Sequence, residues 1–264
     1  MRAAGHVTSL VPGRPGFVEP PQRGIVILAV PDDAVREAAR RFARLKPAPA
    51  VGVVHLSGAL GLDALDALQS NPVGSFHPLQ SFPSPRPPEA FHGITVAVDA
   101  RTTGLMRRLR ALARSIGARP KHVGDGERVL YHASAVFASN FLDVVLREAV
   151  LLLEAAGWSE KEATAGLLPL VEGALDNVRR LGVVGALTGP LRRGDVATVR
   201  RHLAALHDLD RRSPRKPPLE AVYRMLGTIA LEVATQAGLD SAAARRMSRA
   251  LTRKAAATRR RGRR

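Results

Sequence analysis

The sequence predicts an α/β domain with an open, mostly parallel sheet, followed by an all-helical domain. Over residues 1–120, short apolar runs alternate with segments of helical periodicity. The run GIVILAV, residues 24–30, is continuously apolar, as expected of a parallel strand that is covered on both faces. After residue 121 the periodicity is helical only. We therefore expect one domain over residues 1–120 and a second over residues 121–244.

Strands and helices alternate through the first 120 residues. Asp32 or Asp33 lies near the N-cap of the first predicted helix, and Gly117 is placed to end the last one. The proline-rich segment 82–93 is predicted to be a loop. The predicted strands are HVTSLV (6–11), GIVILAV (24–30), AVGVVHLSG (50–58), VGSFHPLQSF (73–82) and ITVAVDA (94–100), and the predicted helices lie at 32–45, 61–69 and 102–118.

The second half contains four helical patterns. The first, over residues 127–157, has no internal breaker and predicts one long helix. The second begins at Ser159, and Glu162 three residues later completes a capping-box pattern. Two further amphipathic helices are predicted over residues 194–210 and 217–238.

The composition excludes several classes of protein. Cysteine is absent, so the chain can form neither a disulfide nor a thiolate metal site, and we expect no metal. This is consistent with a reducing cytoplasm, where we expect the protein. No apolar run approaches the roughly 20 residues of a membrane-spanning helix, and no secretory signal begins the sequence. With 45% hydrophobic residues, the chain can bury a core.

The net charge of +17 is distributed unevenly along the chain. Ten Arg or Lys residues and no acid lie between residues 245 and 264, which leaves +7 for the first 244 residues. Such a sequence cannot bury a core, so we expect residues 245–264 to form a basic, disordered tail. Nucleic acid is therefore not expected as the main partner, and binding of nucleic acid by the tail is kept as an alternative.

Three segments place unusual residues at the predicted ends of strands. In open α/β sheets, ligands bind at the carboxyl ends of the strands. Turn chemistry explains any one of these segments, because Pro, Asp, Ser and Gly are common in turns; three together favour a shared crevice. The candidates are Val30, Pro31 and Asp32 in LAVPDD, His55, Ser57 and Gly58 in VVHLSG, and His77, Pro78 and Gln80 in GSFHPLQSF.

The long predicted helix adds a fourth group of candidates. His132, Ser139 and Asn140 are spaced at i, i+7 and i+8, so they share one face of a continuous helix. Ala135 on that face would let a substrate approach. His132 is either a hydrogen-bonded core residue or a proton donor that works with an orienting amide.

The segment GALTGPLRRGD, residues 185–195, is the fifth candidate. It is either a helix stop followed by Asp195 as the next N-cap, or a loop that closes over an anionic substrate. In the second interpretation Thr188 lies at the site, and Arg192 or Arg193 binds a carboxylate.

Five segments, in this order and spacing, resemble a known family. LAVPDD, HLSGALGLDAL, GSFHPLQSF, LYHASAVFASNF and LTGPLRRGD span about residues 25–200. They look like the family that pairs a Rossmann-like NAD(P)-binding domain with the helical domain DUF2520. That family resembles pyrroline-5-carboxylate reductase, ketopantoate reductase and prephenate dehydrogenase in architecture. The resemblance implies an oxidoreductase whose helical domain forms the substrate side of the cleft and a homodimer.

The resemblance also implies roles for individual residues. His77-Pro78 resembles the HP at a strand end of the prephenate enzymes, and the long helix carries His132 and Asn140 where several relatives have Lys and Asn. The implied catalytic residues are His132, His77, Asn140 and Ser139. The implied cofactor-binding residues are Arg14, Val30, Pro31, Asp32, Ser57, Gly58, His77 and Pro78, and the implied substrate-binding residues are Gln80, Thr188 and Arg193.

One departure from the family concerns the phosphates of the cofactor. The strand and G-x-G-x-x-G turn that open a dinucleotide-binding domain are absent, and the sequence begins at a segment resembling the family's second strand. Either the start codon is assigned too late, or this chain lacks the loop and binds a dinucleotide weakly or not at all. Arg14 follows that segment and no acid comes before Glu19, which favours NADP over NAD.

We therefore expect an NAD(P)-dependent oxidoreductase that reduces a small carbonyl or imine bearing a carboxylate, such as a 2-keto acid. A non-catalytic dinucleotide sensor or degenerate scaffold is the alternative that the absent glycine-rich turn favours.

Overall fold

A computed structural model describes residues 4–6, 8 and 19–252. Arg14 and most of the predicted strand 6–11 lie outside the described residues. The chain divides into two compact units, Met1–Asp143 and Val144–Arg264. The strands are β1 (Gly24–Leu28), β2 (Val51–His55), β3 (Val73–Pro78), β4 (Thr95–Ala100) and β5 (Arg119–His122), and the helices are α1 (Asp32–Arg44), α2 (Thr103–Ser115), α3 (Asp125–Ala138), α4 (Asn140–Ala155), α5 (Glu160–Gly185), α6 (Gly189–Arg193), α7 (Val196–Arg212), α8 (Leu219–Gln236) and α9 (Ser241–Thr252).

The first unit is built on one sheet with strand order β1-β2-β3-β4-β5. Three of the four pairings are parallel, and β4 runs antiparallel to β3. The carboxyl ends of β1, β2 and β3 therefore lie at the same edge of the sheet. This confirms the predicted mostly parallel sheet and places LAVPDD, VVHLSG and GSFHPLQSF along that edge.

Apolar side chains cover the sheet on both faces. All five residues of β2 are buried, which explains its continuous apolar pattern. One core contains Val35 and Phe42 of α1 with Val51 and Val53 of β2. The other contains Leu105 and Leu109 of α2, packed with side chains that include Val54, Phe76, Val96 and Val98.

The second unit is helical, as predicted. Ser159 and Glu162 form the capping box at the start of α5, where Ser159 Oγ accepts from Glu162 N and Glu162 Oε2 accepts from Ser159 N. Asp195 caps α7 by accepting from Thr198 N at 3.0 Å. The core of this unit joins α7, α8 and α9 through Val199, Leu203, Leu231, Met247 and Leu251. No helix in the described part of the chain is both long and apolar enough to cross a membrane.

Three observations differ from the sequence-based predictions. The segment RPKH, where we placed the domain boundary, forms β5, and the first compact unit continues through α3. The predicted long helix is interrupted at Ser139, whose φ of −119° and ψ of −75° depart from helical values, so α3 and α4 are separate helices. The predicted disordered tail is wrong for residues 245–252, which belong to α9 because Met247, Ala250 and Leu251 are buried.

Candidate functional site

Two imidazoles meet over the bare backbone of Gly58 at the carboxyl edge of the sheet. A Cβ built on Gly58 would lie 2.7 Å from His77 Nε2 and 2.8 Å from His132 Cδ2. The ring centroids of His77 and His132 are 6.2 Å apart. His77 comes from β3, Gly58 follows β2, and His132 lies on α3. A Cβ at position 58 would force these rings to shift. We call Gly58, His77, Tyr131 and His132 the imidazole cluster.

Tyr131 holds the ring of His77 in place. The Tyr131 hydroxyl lies 2.7 Å from His77 Nδ1, and the two rings meet edge to face with centroids 5.5 Å apart. Burial, assisted by His132 and Arg128, lowers the pKa of His77 to about 4, and burial raises the pKa of Tyr131 to about 12. Both groups are therefore neutral at pH 7. When the Tyr131 hydroxyl donates to Nδ1, the ring proton of His77 lies on Nε2, the atom that faces Gly58.

The turn after β2 is tied to the start of α1. Ser57 Oγ donates to Asp32 Oδ2 at 2.7 Å and accepts from Ala59 N and Leu60 N at 3.1 and 3.0 Å. Pro31 is the N-cap of α1 and has no capping side chain, so the Asp32 carboxylate serves the neighbouring turn instead of capping its own helix. This contact fixes Ser57 and Gly58 relative to the end of β1, as the prediction of a shared crevice requires.

A buried arginine, Arg128, lies beneath the imidazole cluster. Its side chain is 1% exposed, and Nη2 donates to Ser75 Oγ at 2.8 Å, Val123 O at 3.1 Å and Asp99 Oδ2 at 3.4 Å. Ser75 and Asp99 are paired directly across β3 and β4. Asp99 also accepts from His122 Nε2 at 3.1 Å when that nitrogen is protonated. Arg128 therefore joins α3 to the centre of the sheet.

Sequence reasoning missed Arg128, although a signal was present. Arg128 precedes His132 by one helical turn, at i and i+4, so the two side chains lie on the same face of α3. A charged residue on the face that carries a site residue is expected to be paired or functional.

His55 and Arg128 each carry buried side-chain nitrogens without a hydrogen-bond partner. Among the described residues, these nitrogens are Nδ1 and Nε2 of His55 and Nε and Nη1 of Arg128. Arg128 Nε lies 3.6 Å from Asp125 Oδ1, which is an ion-pair distance. Burial is the main cause that lowers the pKa of His55, and the positive charge of Arg128 adds to it. The Gly61 backbone acts in the opposite direction, although it forms no hydrogen bond with the ring. Unsatisfied buried groups cost stability, and such groups are typical of functional regions.

Other predicted residues lie at turns and helix ends or in the second unit. The exposed Gln80 caps its own turn, because Oε1 accepts from Ser81 N at 2.9 Å. Thr188 and Arg193 lie at the two ends of α6 in the second unit, and both are exposed. Ser139 is the C-cap of α3, and the exposed Asn140 begins α4. Their predicted roles stay predictions.

The remaining strand-end residues have structural contacts. Pro78 ends β3 and pairs with Val96 of β4, and Val30 packs against the core that contains Val35. No group of three or more His, Asp or Glu residues in the described ranges could hold a metal ion.

Comparison with known proteins identifies the family. The profile of a domain of unknown function, DUF2520, matches residues 94–229, more than half of the chain. This chain belongs to the DUF2520 family. The match confirms the resemblance predicted from the five sequence segments. No curated protein matches the sequence.

Solved structures show the same fold. The "putative NADP oxidoreductase BF3122" from Bacteroides fragilis is 24% identical, with a TM-score of 0.65 over 79% of this chain and 75% of that protein. Protein TM1727 from Thermotoga maritima is 23% identical, with a TM-score of 0.66 over 84% of this chain and 81% of that protein. These similarities confirm a Rossmann-like domain followed by a helical region.

Proposed function

We propose that this DUF2520 protein is an NAD(P)-dependent oxidoreductase that reduces a small carbonyl or imine bearing a carboxylate, such as a 2-keto acid. The observation that carries the proposal is the imidazole cluster, in which two histidines flank a side-chain-free backbone at the carboxyl edge of parallel strands. Ligands of open α/β sheets bind at this edge. The name of the Bacteroides fragilis relative supports the same class of cofactor.

The residues at this edge fit the nicotinamide end of a dinucleotide better than its phosphates. Gly58 presents backbone without a Cβ, and the Ser57–Asp32 contact holds that backbone against the end of β1. Val30, Pro31, Ser57 and Gly58 would line the ring, and the bound cofactor would supply a hydride to the substrate carbon. A pyrophosphate would not be favoured at the start of α1, because its first turn is acidic.

His132 is the better candidate for the proton donor. The pKa of His77 is lowered to about 4, so its imidazolium is almost absent at pH 7. His77 would instead use the Nε2 proton, which the Tyr131 contact holds in place, to orient a carbonyl or imine. This division assigns proton transfer to His132 and orientation to His77.

The second unit offers a candidate for binding a carboxylate. Of the two adjacent arginines, Arg192 donates to the Ala237 carbonyl at 2.6 Å, whereas Arg193 is exposed at the end of α6. We therefore favour Arg193 for binding a carboxylate, and Thr188 lies at the opposite end of α6. In the first unit, Ser139 or Asn140 is our candidate for orienting a reacting group. Arg193→Gln should raise KM for a carboxylate substrate with little effect on kcat.

We also propose that the second unit forms a homodimer. Leu170 and Val183 on α5 and Met225 on α8 are 69%, 73% and 68% exposed. Monomeric proteins rarely expose apolar side chains in such number, and a second copy of the same helices offers a matching apolar surface. Sedimentation should give a dimer for the wild type and a monomer for Met225→Glu. A wild-type monomer at micromolar concentration would contradict this proposal.

The experiment is a turnover assay with NADPH, followed by absorbance, over a panel of 2-keto acids and cyclic imino acids. His132→Gln should reduce kcat by at least about 100-fold. His202→Gln is the control for the loss of an imidazole elsewhere in the chain, because His202 lies in the second unit, where it contacts Tyr223 at 2.9 Å as His77 contacts Tyr131. Equal loss in both variants would show a general effect on folding and contradict the assignment.

A non-catalytic dinucleotide-binding protein is the second candidate function. Saturable binding of NADPH without turnover of any substrate in the panel would support this candidate over the reductase. NADPH should bind more tightly than NADH if Arg14 contacts the 2′-phosphate.

A further inference from the structure

An open groove in the second unit is lined by three arginines. The groove has a volume of about 810 Å³ and lies along the first turns of α7 and the outer face of α9. Its lining consists of Val196, Ala197, Arg200, Arg246, Arg249 and Thr252. We call this feature the arginine groove. Its size is within the usual range of ligand-binding clefts.

The packing of α9 fixes the direction of two of these arginines. Ala243, Met247, Ala250 and Leu251 are buried and form a stripe at helical spacing. The stripe packs in the core that joins α7, α8 and α9. Because the helix is held by this face, Arg246 and Arg249 project from another face as exposed neighbours at i and i+3.

These three arginines form no salt bridge with an acid in the described part of the second unit. Within residues 144–252, Arg200, Arg246 and Arg249 take part in none of the salt bridges. The other arginines of α7–α9 include paired ones; Arg224, for example, binds Glu220 and two backbone carbonyls. Unpaired guanidinium groups around one groove repel each other and stabilise a bound anion.

The acids closest in sequence are already used by the backbone. Asp195 accepts from Thr198 N at the start of α7, and Asp240 accepts from Ala242 N and Ala243 N at the start of α9. Hydrogen bonds to these backbone groups lower the pKa of both carboxyls. Each carboxylate therefore mainly compensates a helix N-terminus. Arg246 adds only a smaller Coulombic effect on Asp240, so the groove keeps most of its positive charge.

The chain continues from the groove into a strongly basic sequence. Thr252 lines the groove, and residues 253–264, RKAAATRRRGRR, contain seven Arg or Lys and no acid. A small phosphorylated metabolite would engage the three groove arginines at most. A polymer with regularly spaced phosphates can engage the groove and the following sequence together. The lining contains no aromatic residue that could stack on a base.

We propose that the arginine groove binds the phosphate backbone of a nucleic acid without sequence preference. Arg200, Arg246 and Arg249 are the contacts from the folded unit, and each binds a phosphate oxygen pair through its planar guanidinium. This differs from nucleic-acid binding by a disordered tail, because the groove residues are fixed on packed helices. The expectation that nucleic acid is not the main partner rested on residues 245–264 forming a disordered tail, which α9 contradicts for residues 245–252.

The test measures binding of a fluorescent oligonucleotide of random sequence to the full-length chain by anisotropy, over a series of salt concentrations. The triple variant Arg200→Gln, Arg246→Gln and Arg249→Gln should weaken binding at least about tenfold and reduce the slope of log K against log salt by about 3. Arg179→Gln is the single-charge control, because Arg179 is exposed on α5, outside the groove; it should change the slope by at most about 1.

Three outcomes of the binding assays would overturn the proposal. The triple variant could bind like the wild type, while replacing the seven cations of residues 253–264 by Gln abolishes binding. Inorganic phosphate at equal ionic strength could displace the oligonucleotide more effectively than chloride does, which would indicate a small-anion site. Phosphatidylserine vesicles could bind more tightly than the oligonucleotide. If the triple variant melts at a lower temperature than the wild type, hydrogen exchange on the wild type separates a folding defect from a binding defect. Protection of residues 196–200 and 246–252 by nucleic acid would support the groove as the binding site, and an absence of this protection would overturn the proposal.

Discussion

Replacing Gly58 by alanine tests the imidazole cluster at its most crowded position. The added Cβ would lie 2.7 Å from His77 Nε2, whereas ordinary van der Waals contact begins at 3.4 Å. One or both rings must therefore move by about 0.7 Å. His77 cannot move freely, because Tyr131 holds Nδ1 at 2.7 Å. We expect overpacking to cost about 1–3 kcal/mol of unfolding free energy.

The same substitution should also reduce turnover. A displacement approaching 1 Å at a catalytic group can reduce a rate by about 100-fold. Urea denaturation and NADPH turnover would be measured on Gly58→Ala, with Gly104→Ala as the matched control. Gly104 lies in the first turn of α2 with no atom within 4 Å of an added Cβ, so its replacement should be neutral or stabilise by up to about 1 kcal/mol. Wild-type stability and turnover in Gly58→Ala would refute the close contact.

Three further predictions concern stability. The pKa of His77 is about 4 in the folded state, against an ordinary value of 6.5, so the free energy of unfolding should fall as the pH drops from 6.5 to 4. In urea denaturation, the difference in unfolding free energy between wild type and His77→Gln should therefore change with pH in that window. Arg128→Leu should lose about 3–5 kcal/mol in urea denaturation because Asp99 stays buried without its cation, and adding Asp99→Asn should recover part of that loss. Ser159→Ala should lose about 1 kcal/mol by thermal melting, and Ser159→Asp should retain the cap.

The elements that the sequence predicts well are those whose apolar pattern matches their burial. The strands β1–β4 carry apolar runs because both faces of the sheet are covered. β5 was missed because RPKH contains no residue that a buried strand requires, and it pairs only with β4. The interruption at Ser139 has no sequence signal, since neither glycine nor proline lies near it. The helix α9 had a signal, the stripe of Ala243, Met247, Ala250 and Leu251, which the surrounding arginines obscured.

The candidate site was predictable only in part. The rule that strand ends meet at one edge predicted that Ser57, Gly58 and His77 would be neighbours. The close approach of His132 depends on how α3 packs against the sheet, which no local pattern determines. The buried pairing of Arg128 with Asp99 joins residues 29 positions apart and is visible only in the fold. The role of Gln80 could not be predicted, because the same amide can line a cleft or cap a turn.

The most direct test of the central claim is an NMR titration of the full-length chain with NADPH, observing the histidine ring resonances. The proposed function predicts saturable binding that shifts the resonances of His77 and His132, while His202 in the second unit stays unchanged. An absence of binding, or binding that leaves His77 and His132 unperturbed, would contradict the claim that the imidazole cluster forms the nicotinamide end of a cofactor site.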